Sequence, residues 1–305
     1  MFFTLNAKEI YPSAKFKSMG LVNDFVVSKN KLYIANDAGT IDIYDLTTQK
    51  IVNQIILDLI TTKMGRLTSP NVLSVDIRGD KLLIVSIGVS SFRNIWLYEN
   101  FELTKIIGED KKLTVKEARF IDDEKIMLGN FSSEIVLHDI GESYNLYKRH
   151  VTQSTLGDIA LSEDNSKVVM SDESGEIRLL DVKSSQTLQV YSGQNVDNVY
   201  HVAYANGVIL TAGQDRRVGV YQEGVKDYHI KSDFLVYCVG ITPDGKTGLY
   251  ADGEESNIQL FDTKTKEKLD TLVGHEGVIN QIKFINDKEL FSSERSRYVH
   301  YWRLD

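Results

Sequence analysis

The chain has 305 residues, of which 42% are apolar and 26% are charged, and its formal net charge is −8. This composition is that of a folded protein with a sizeable core, and it excludes a disordered chain. The negative charge disfavours binding to nucleic acids and to anionic membranes, because both attract basic surfaces. A basic or neutral partner is favoured instead.

The single cysteine, Cys238, excludes an intramolecular disulfide and a cysteine-based metal cage. No apolar run reaches the ~18–20 residues that span a bilayer. The opening stretch "MFFTLNAKEIYPSAKF" lacks the basic start of a signal peptide. We therefore expect a cytoplasmic protein, or a periplasmic one if a signal peptide has been removed.

Four short apolar runs recur in each stretch of about 40 residues along the chain. In the first stretch they are "VNDFVV", "KLYIAN", "TIDIYD" and "KIVNQIIL". Their alternation, their β-branched and aromatic residues, and the Gly, Asn, Asp and Ser between them predict strands rather than helices. The first runs of the seven stretches begin at Val22, Val72, Val115, Leu156, Val199, Val236 and Ile279. The second stretch is longer, and its extra residues predict surface loops at 57–70 and 86–94.

Seven stretches of four strands predict an all-β fold, a seven-bladed β-propeller that forms a single domain over residues 1–305. The last stretch reaches Asp305 after only three strands. A strand within the N-terminal "FFTLNAKEIY" (2–11) is therefore predicted to complete the last blade and to close the ring. We expect the protein to be monomeric by itself.

The last stretch also carries family motifs, namely Gly274-His275, "VINQIKF" and "FSSERSRYVHYW", and "DRRVGVY" (215–221) matches them. With these motifs the chain resembles WD40-repeat β-propellers over nearly its whole length. It departs from their pattern because Gly-His occurs at one repeat boundary, Trp302 is the one Trp at the family's position, and Asp215 alone keeps the turn aspartate. The resemblance implies that the side-chain network of regular WD40 blades is mostly absent.

The abundance of Lys, Ile, Asn and Asp and the ending "ELFSSERSRYVHYW" are also similar to WD40-like accessory proteins of periplasmic nitrate reductase systems in bacteria. This resemblance implies a bacterial protein that assists a redox enzyme such as nitrate reductase.

Catalytic patterns do not emerge from the sequence. The six histidines form no metal-binding array, Cys238 falls in a predicted buried strand, and the acidic "ADGEES" (251–256) lacks the spacing of a calcium loop. We therefore predict no catalytic site, no metal and no cofactor, and a non-catalytic scaffold for protein–protein interactions. The alternative is an enzyme or a small-ligand-binding propeller that uses the central channel.

The WD40 resemblance also implies where a partner binds. Partner contacts in that family concentrate at the position after the first apolar residue of each inner strand and at the position before the turn aspartate. Aromatic and acidic residues at these positions suit a protein or peptide with basic segments. The predicted partner-binding residues are Asn23, Asp37, Leu73, Lys116, Phe131, Glu173, Tyr200, Gln214, Tyr237, Glu254, Asn280 and Arg295.

Overall fold

The computed structural model describes residues 7–253 and 256–304. Within these ranges the chain is built from short β-strands, and the helical structure is a single 3-10 turn at Glu109–Lys111. Seven sheets of at least four strands form the blades, six with four strands and one with five. The predicted fold class is confirmed, since the chain is an all-β, seven-bladed β-propeller.

The strands of the blades have the following bounds. Blade 1 contains β3 (Val22–Ser28), β4 (Lys31–Asn36), β5 (Thr40–Asp45) and β6 (Lys50–Ile56). Blade 2 contains β9 (Val72–Arg78), β10 (Lys81–Ile87), β11 (Arg93–Glu99) and β12 (Glu102–Ile107). Blade 3 contains β13 (Val115–Phe120), β14 (Lys125–Asn130), β15 (Glu134–Asp139) and β16 (Tyr144–His150). Blade 4 contains β17 (Leu156–Leu161), β18 (Lys167–Asp172), β19 (Ile177–Asp181) and β20 (Thr187–Tyr191). Blade 5 contains β21 (Val199–Ala205), β22 (Val208–Gly213), β23 (Arg217–Gln222) and β24 (Tyr228–Lys231). Blade 6 contains β25 (Val239–Ile241), β26 (Thr247–Asp252), β27 (Asn257–Asp262) and β28 (Lys268–Leu272), with β1 (Glu9–Ile10) at its edge. Blade 7 contains β29 (Ile279–Asn286), β30 (Glu289–Glu294), β31 (Tyr298–Arg303) and β2 (Ala14–Lys17).

The chain groups into two compact units. The first contains the described residues of Met1–Lys15, Gly157–Glu294 and His300–Asp305, and the second contains Phe16–Leu156 and Arg295–Val299. The prediction of a single domain stays a prediction, and each unit is described by itself below.

The strand that completes blade 7 lies later than predicted. An N-terminal strand does join this blade, but it is Ala14–Lys17 rather than a strand within 2–11. In the second unit Phe16 is buried and packs edge-on against Tyr44, whose hydroxyl donates a hydrogen bond of 2.7 Å to the Lys17 carbonyl. In the first unit Glu9–Ile10 pairs in parallel with β28 instead. Residues 2–6 of the predicted segment lie outside the described residues.

The two segments predicted as surface loops also contain short stretches of strand. The segment 57–70 is not only loop, because it forms a small hairpin from β7 (Ile60–Thr61) and β8 (Leu67–Thr68). In the segment 86–94 the loop is shorter than predicted, since β10 runs to Ile87 and β11 starts at Arg93, which leaves residues 88–92 between these strands. The inner strand of blade 6 also starts at Val239, later than the apolar run that begins at Val236.

The core lies between the facing sheets of neighbouring blades. In the first unit Val220 of blade 5 shares one buried cluster with Tyr250 and Phe261 of blade 6. In the second unit a similar cluster joins blades 2 and 3. Alternate residues of each strand point into such a layer, because strand side chains alternate between the two faces of a sheet. This burial makes each blade a rigid support for its turns.

Candidate protein-binding site

Two tyrosines lie where the chain enters neighbouring blades of the first unit. Tyr200 follows Val199 at the start of β21, and Tyr237 follows Val236 just before β25. Both valines are fully buried, whereas both tyrosines are only partly buried. Because successive side chains of an extended chain point in opposite directions, burial of the valines in the core directs the tyrosine rings away from it.

The two rings form a stacked pair, here called the tyrosine pair. Their centroids are 5.5 Å apart and their planes differ by 16°. The Tyr200 hydroxyl donates a hydrogen bond of 2.8 Å to Oε1 of Gln214, an exposed residue in the turn between β22 and β23. Burial raises the pKa of Tyr200, with smaller contributions from Tyr237 and from Asp197. The structure thus brings together three of the predicted residues, Tyr200, Gln214 and Tyr237.

A cavity of about 240 Å³ adjoins this pair, and Tyr237 forms part of its wall. Phe234, Leu235 and Ile279 also line it, and Asp252 contributes a carboxylate. Asp252 accepts a hydrogen bond of 2.9 Å from the Ser232 hydroxyl and lies 3.8 Å from the Lys268 ammonium group. We call this space the aromatic cavity. It combines apolar walls with an acidic group, which suits an apolar side chain that has a basic neighbour.

Phe234 and Leu235 were not among the predicted site residues. Their signal was present in the sequence, because the apolar run "FLVYCVGI" (234–241) begins two residues before Val236. In the structure, Phe234 and Leu235 lie before β25 and form part of the wall of the aromatic cavity.

The other predicted positions of the first unit do not join the tyrosine pair. Glu173 is exposed in the turn after β18, and Asn280 accepts a hydrogen bond of 2.6 Å from the Ser293 hydroxyl. Glu254 lies outside the described residues.

In the second unit the predicted positions have different environments. Asn23 donates a hydrogen bond of 2.7 Å to the Val72 carbonyl, and Asp37 accepts one of 2.7 Å from the Leu21 amide, so both contribute to local structure. Phe131 is 38% exposed, and the Arg93 guanidinium lies 5.7 Å from the centre of its ring. Three further positions in this unit are the partly buried Leu73 and Lys116 and the exposed Arg295.

Blade 7 contains a buried chain of polar side chains. Trp302 Nε1 donates to the Ser292 hydroxyl at 2.7 Å, and that hydroxyl lies 2.7 Å from Nε2 of His275. Nδ1 of His275 lies 3.0 Å from Oε2 of Glu294, which also accepts the Gly277 amide at 2.9 Å. One assignment of protons satisfies all of these contacts: Ser292 donates to Nε2, and Nδ1–H donates to the carboxylate.

Such networks were predicted to be mostly absent, and blade 7 is a blade that contains one. Ser296 occupies the position of the turn aspartate, but Glu294, two residues earlier, supplies the carboxylate with its longer side chain. Blade 5 has a related network, in which Asn195 takes the histidine position. It donates to Asp215 at 3.1 Å and accepts a hydrogen bond from Thr211.

His300 adds a third titratable group beside His275 and Glu294. The three side chains are buried, and their ligand atoms lie within 4.8 Å of one another, a spacing that a metal ion could use. Both ring nitrogens of His275 already have hydrogen-bonding partners. Burial, and then the proximity of His275, lower the pKa of His300 to about 3. The arrangement is therefore that of two neutral imidazoles packed beside a carboxylate, with Nδ1 of His300 2.8 Å from Nδ1 of His275.

Cys238 is fully buried, and burial raises the pKa of its thiol. A nucleophilic cysteine needs an accessible thiolate, so this environment fits a packing role.

The repeated sheets and the Gly-His-to-Trp network make this β-propeller similar to the class of WD40-repeat propellers. Proteins of that class are generally non-catalytic and typically act as scaffolds for protein interactions.

Comparisons with known proteins support this class. The chain is 26% identical over 209 residues to the putative BTB/POZ domain and WD-repeat protein R786 of Acanthamoeba polyphaga mimivirus, across 67% of this chain and 40% of that protein. It is 24% identical over 145 residues to protein SPA1-RELATED 3 of Arabidopsis thaliana, across 46% of this chain and 17% of that protein. The chain thus spans less than half of the length of either relative. No family model matches it.

Among solved structures, the β-propeller domain of Cps50 (Swd1) from Myceliophteria thermophila is similar in fold. The TM-score is 0.75 at 12% sequence identity, over 96% of this chain and 99% of that domain. Separately, the described part of the chain contains no helix that is long and apolar enough to cross a membrane.

Proposed function

We propose that this protein is a non-catalytic scaffold that binds a partner protein at the tyrosine pair and the aromatic cavity. The bound segment carries a Lys or Arg next to an apolar side chain. The observation that carries this proposal is the stacking of two partly exposed tyrosine rings beside an apolar cavity. Tyr is enriched at the energetic centres of protein interfaces because its ring supplies a large, rigid contact area.

The charge of the site supports a basic segment. Asp252 lines the cavity, and Asp197 is close enough to Tyr200 to raise the pKa of its hydroxyl. A guanidinium or ammonium group that lies on the tyrosine pair gains cation–π attraction, and the nearby carboxylates add to it.

The test is a tyrosine double variant. We expect Tyr200→Ala with Tyr237→Ala to fold normally and to weaken capture of the natural partner by at least about tenfold, since interface hot spots contribute about 2 kcal/mol or more each. Tagged protein is expressed in the native organism, and captured proteins are quantified by mass spectrometry. The control is Tyr11→Ala with Tyr144→Ala, which removes tyrosines that are 61% and 51% exposed elsewhere. Capture that is unchanged in the Tyr200/Tyr237 variant contradicts the assignment of this site.

The same purification tests the expected client. A bacterial redox enzyme such as nitrate reductase, or one of its maturation factors, is the client that the sequence resemblance implies. Fractionation of cells distinguishes the cytoplasm from the periplasm, and light scattering measures whether the purified protein is a monomer.

A further inference from the structure

A second cavity in the first unit has the opposite charge. It has a volume of about 570 Å³ and lies between blades 5 and 6. We call it the lysine pocket, because four lysines line it: Lys226, Lys246, Lys264 and Lys266. Its volume is within the range of about 300–1,000 Å³ that is typical of ligand-binding clefts.

The lysine pocket is formed by four turns that lie far apart in sequence. They connect β21 to β22, β23 to β24, β25 to β26 and β27 to β28. The tyrosine pair lies at the other ends of these strands, at the start of β21 and just before β25. Within the first unit, the tyrosine pair and the lysine pocket therefore lie at opposite ends of the sheets of blades 5 and 6.

The lysines of the pocket are only partly neutralised. Asp244 is the one acidic residue among its described lining residues, and it pairs with Lys246 at 2.8 Å. Lys266 lies over the ring of Tyr228, with its ammonium nitrogen 4.3 Å from the ring centre. Lys226 and Lys264 form no ion pair within residues 7–253 and 256–304, although Lys264 is close enough to Asp262 to help lower the pKa of that carboxyl. This local excess of positive charge lies in a chain with a net charge of −8.

The interior of the pocket is apolar. Val208, Val220 and Tyr228 contribute to its walls, and Val225, which is 56% exposed, lies in the turn between β23 and β24. The Tyr228 hydroxyl donates its hydrogen bond to the Thr263 carbonyl at 2.5 Å, so its ring, rather than its hydroxyl, is available to a ligand. Burial, and then Asp262, raise the pKa of this hydroxyl to about 12.

We propose that the lysine pocket binds an acidic peptide segment that inserts an aromatic or aliphatic side chain between the lysines. Apolar walls below a cationic rim require both features in the ligand. The lysines come from separate turns, a spread that matches an extended segment better than a single small anion. An anionic bilayer fits less well, because the site is concave and the net charge of the chain opposes such a surface.

The experiment uses fluorescence anisotropy to measure binding of a fluorescein-labelled synthetic peptide. The peptide has a central Phe that is flanked on both sides by Asp and Glu. We expect saturable binding to the full chain. Lys226→Glu with Lys264→Glu should weaken it by about tenfold or more, because two groups that attract the acidic peptide are replaced by two that repel it. The matched control is Lys183→Glu with Lys50→Glu, which reverses two exposed lysines that do not line the pocket and should leave binding unchanged. Val225→Asp should also weaken binding, and so should Phe→Ser in the peptide.

Several results would overturn the proposal. The first is that the peptide does not bind the wild-type chain. The second is that the pocket variant and the control variant bind the peptide equally well, and the third is that the Phe and Ser peptides bind equally well. Binding of phosphatidylserine vesicles in place of the peptide would assign the pocket to membranes instead. Loss of binding in the variant with Tyr200→Ala and Tyr237→Ala would show that the peptide occupies the tyrosine pair, so the two sites are tested separately.

Discussion

Ser292→Ala isolates the energetic role of the buried network in blade 7. Ser292 is fully buried, and its hydroxyl is the hydrogen-bonding partner of both Trp302 Nε1 and His275 Nε2, each at 2.7 Å. Alanine leaves one donor and one acceptor without this partner in a site that water does not reach. An unsatisfied buried polar group costs about 1–3 kcal/mol, so the free energy of unfolding should fall by about 2–6 kcal/mol. This is a large part of the ~5–15 kcal/mol that stabilises a typical domain.

The adjacent serine provides the matched control. Ser293 is equally buried, but its hydroxyl has one partner in the structure, Oδ1 of the partly buried Asn280 at 2.6 Å. Ser293→Ala should therefore cost only about 1 kcal/mol. Urea unfolding followed by tryptophan fluorescence measures both variants, with unchanged m-values required for the comparison. If Ser292→Ala costs no more than Ser293→Ala, the network does not stabilise the blade in the way argued here.

Two further variants test electrostatics and packing. The folded-state pKa of His300, about 3, lies below its ordinary value of 6.5, so this group contributes stability above pH 6.5 that is lost as the pH falls toward 3. Between pH 6 and pH 5 we expect His300→Gln to reduce the pH dependence of the unfolding free energy by about 1.4 kcal/mol per pH unit; an unchanged slope in urea titrations would disprove the neutral, buried state. Gly157→Ala should destabilise the fold by about 3 kcal/mol, because the added Cβ would lie 1.9 Å from the Val199 carbonyl oxygen. Gly141→Ala, whose Cβ would lie 3.6 Å from the nearest atom, should be close to neutral when both variants are measured by urea unfolding.

The strands were largely predictable because their signal is local. Runs such as "KLYIAN" and "TIDIYD" coincide with β4 and β5, and the same agreement extends to "YVHYWR" and β31. Alternation of apolar residues at a repeat of about 40 residues needs no knowledge of tertiary contacts. The closing strand was placed a few residues too early, because its position depends on the burial of Phe16 against Tyr44 rather than on a periodic pattern.

The candidate site was predictable only in part. The WD40 resemblance placed Tyr200 and Tyr237 at one partner-contact position of their repeats and Gln214 at the other. It could not show that the two rings stack or that Phe234 adds a cavity beside them. These facts depend on the spacing between two neighbouring sheets, which the core sets.

By itself, the sequence determined the all-β class, the number of blades and the order of their strands, since each of these follows from short-range alternation and from repetition. The tertiary structure alone decided which carboxylate accepts the hydrogen bond of His275, because the reach of a side chain depends on where its backbone lies. Glu294, at the end of β30, contacts the ring, although Ser296 occupies the position at which the carboxylate was expected. It alone also brought together the four turns of the lysine pocket, whose residues are spread from 206 to 266 along the chain. Charges that are scattered in sequence become a site only when packed sheets hold their turns at one end.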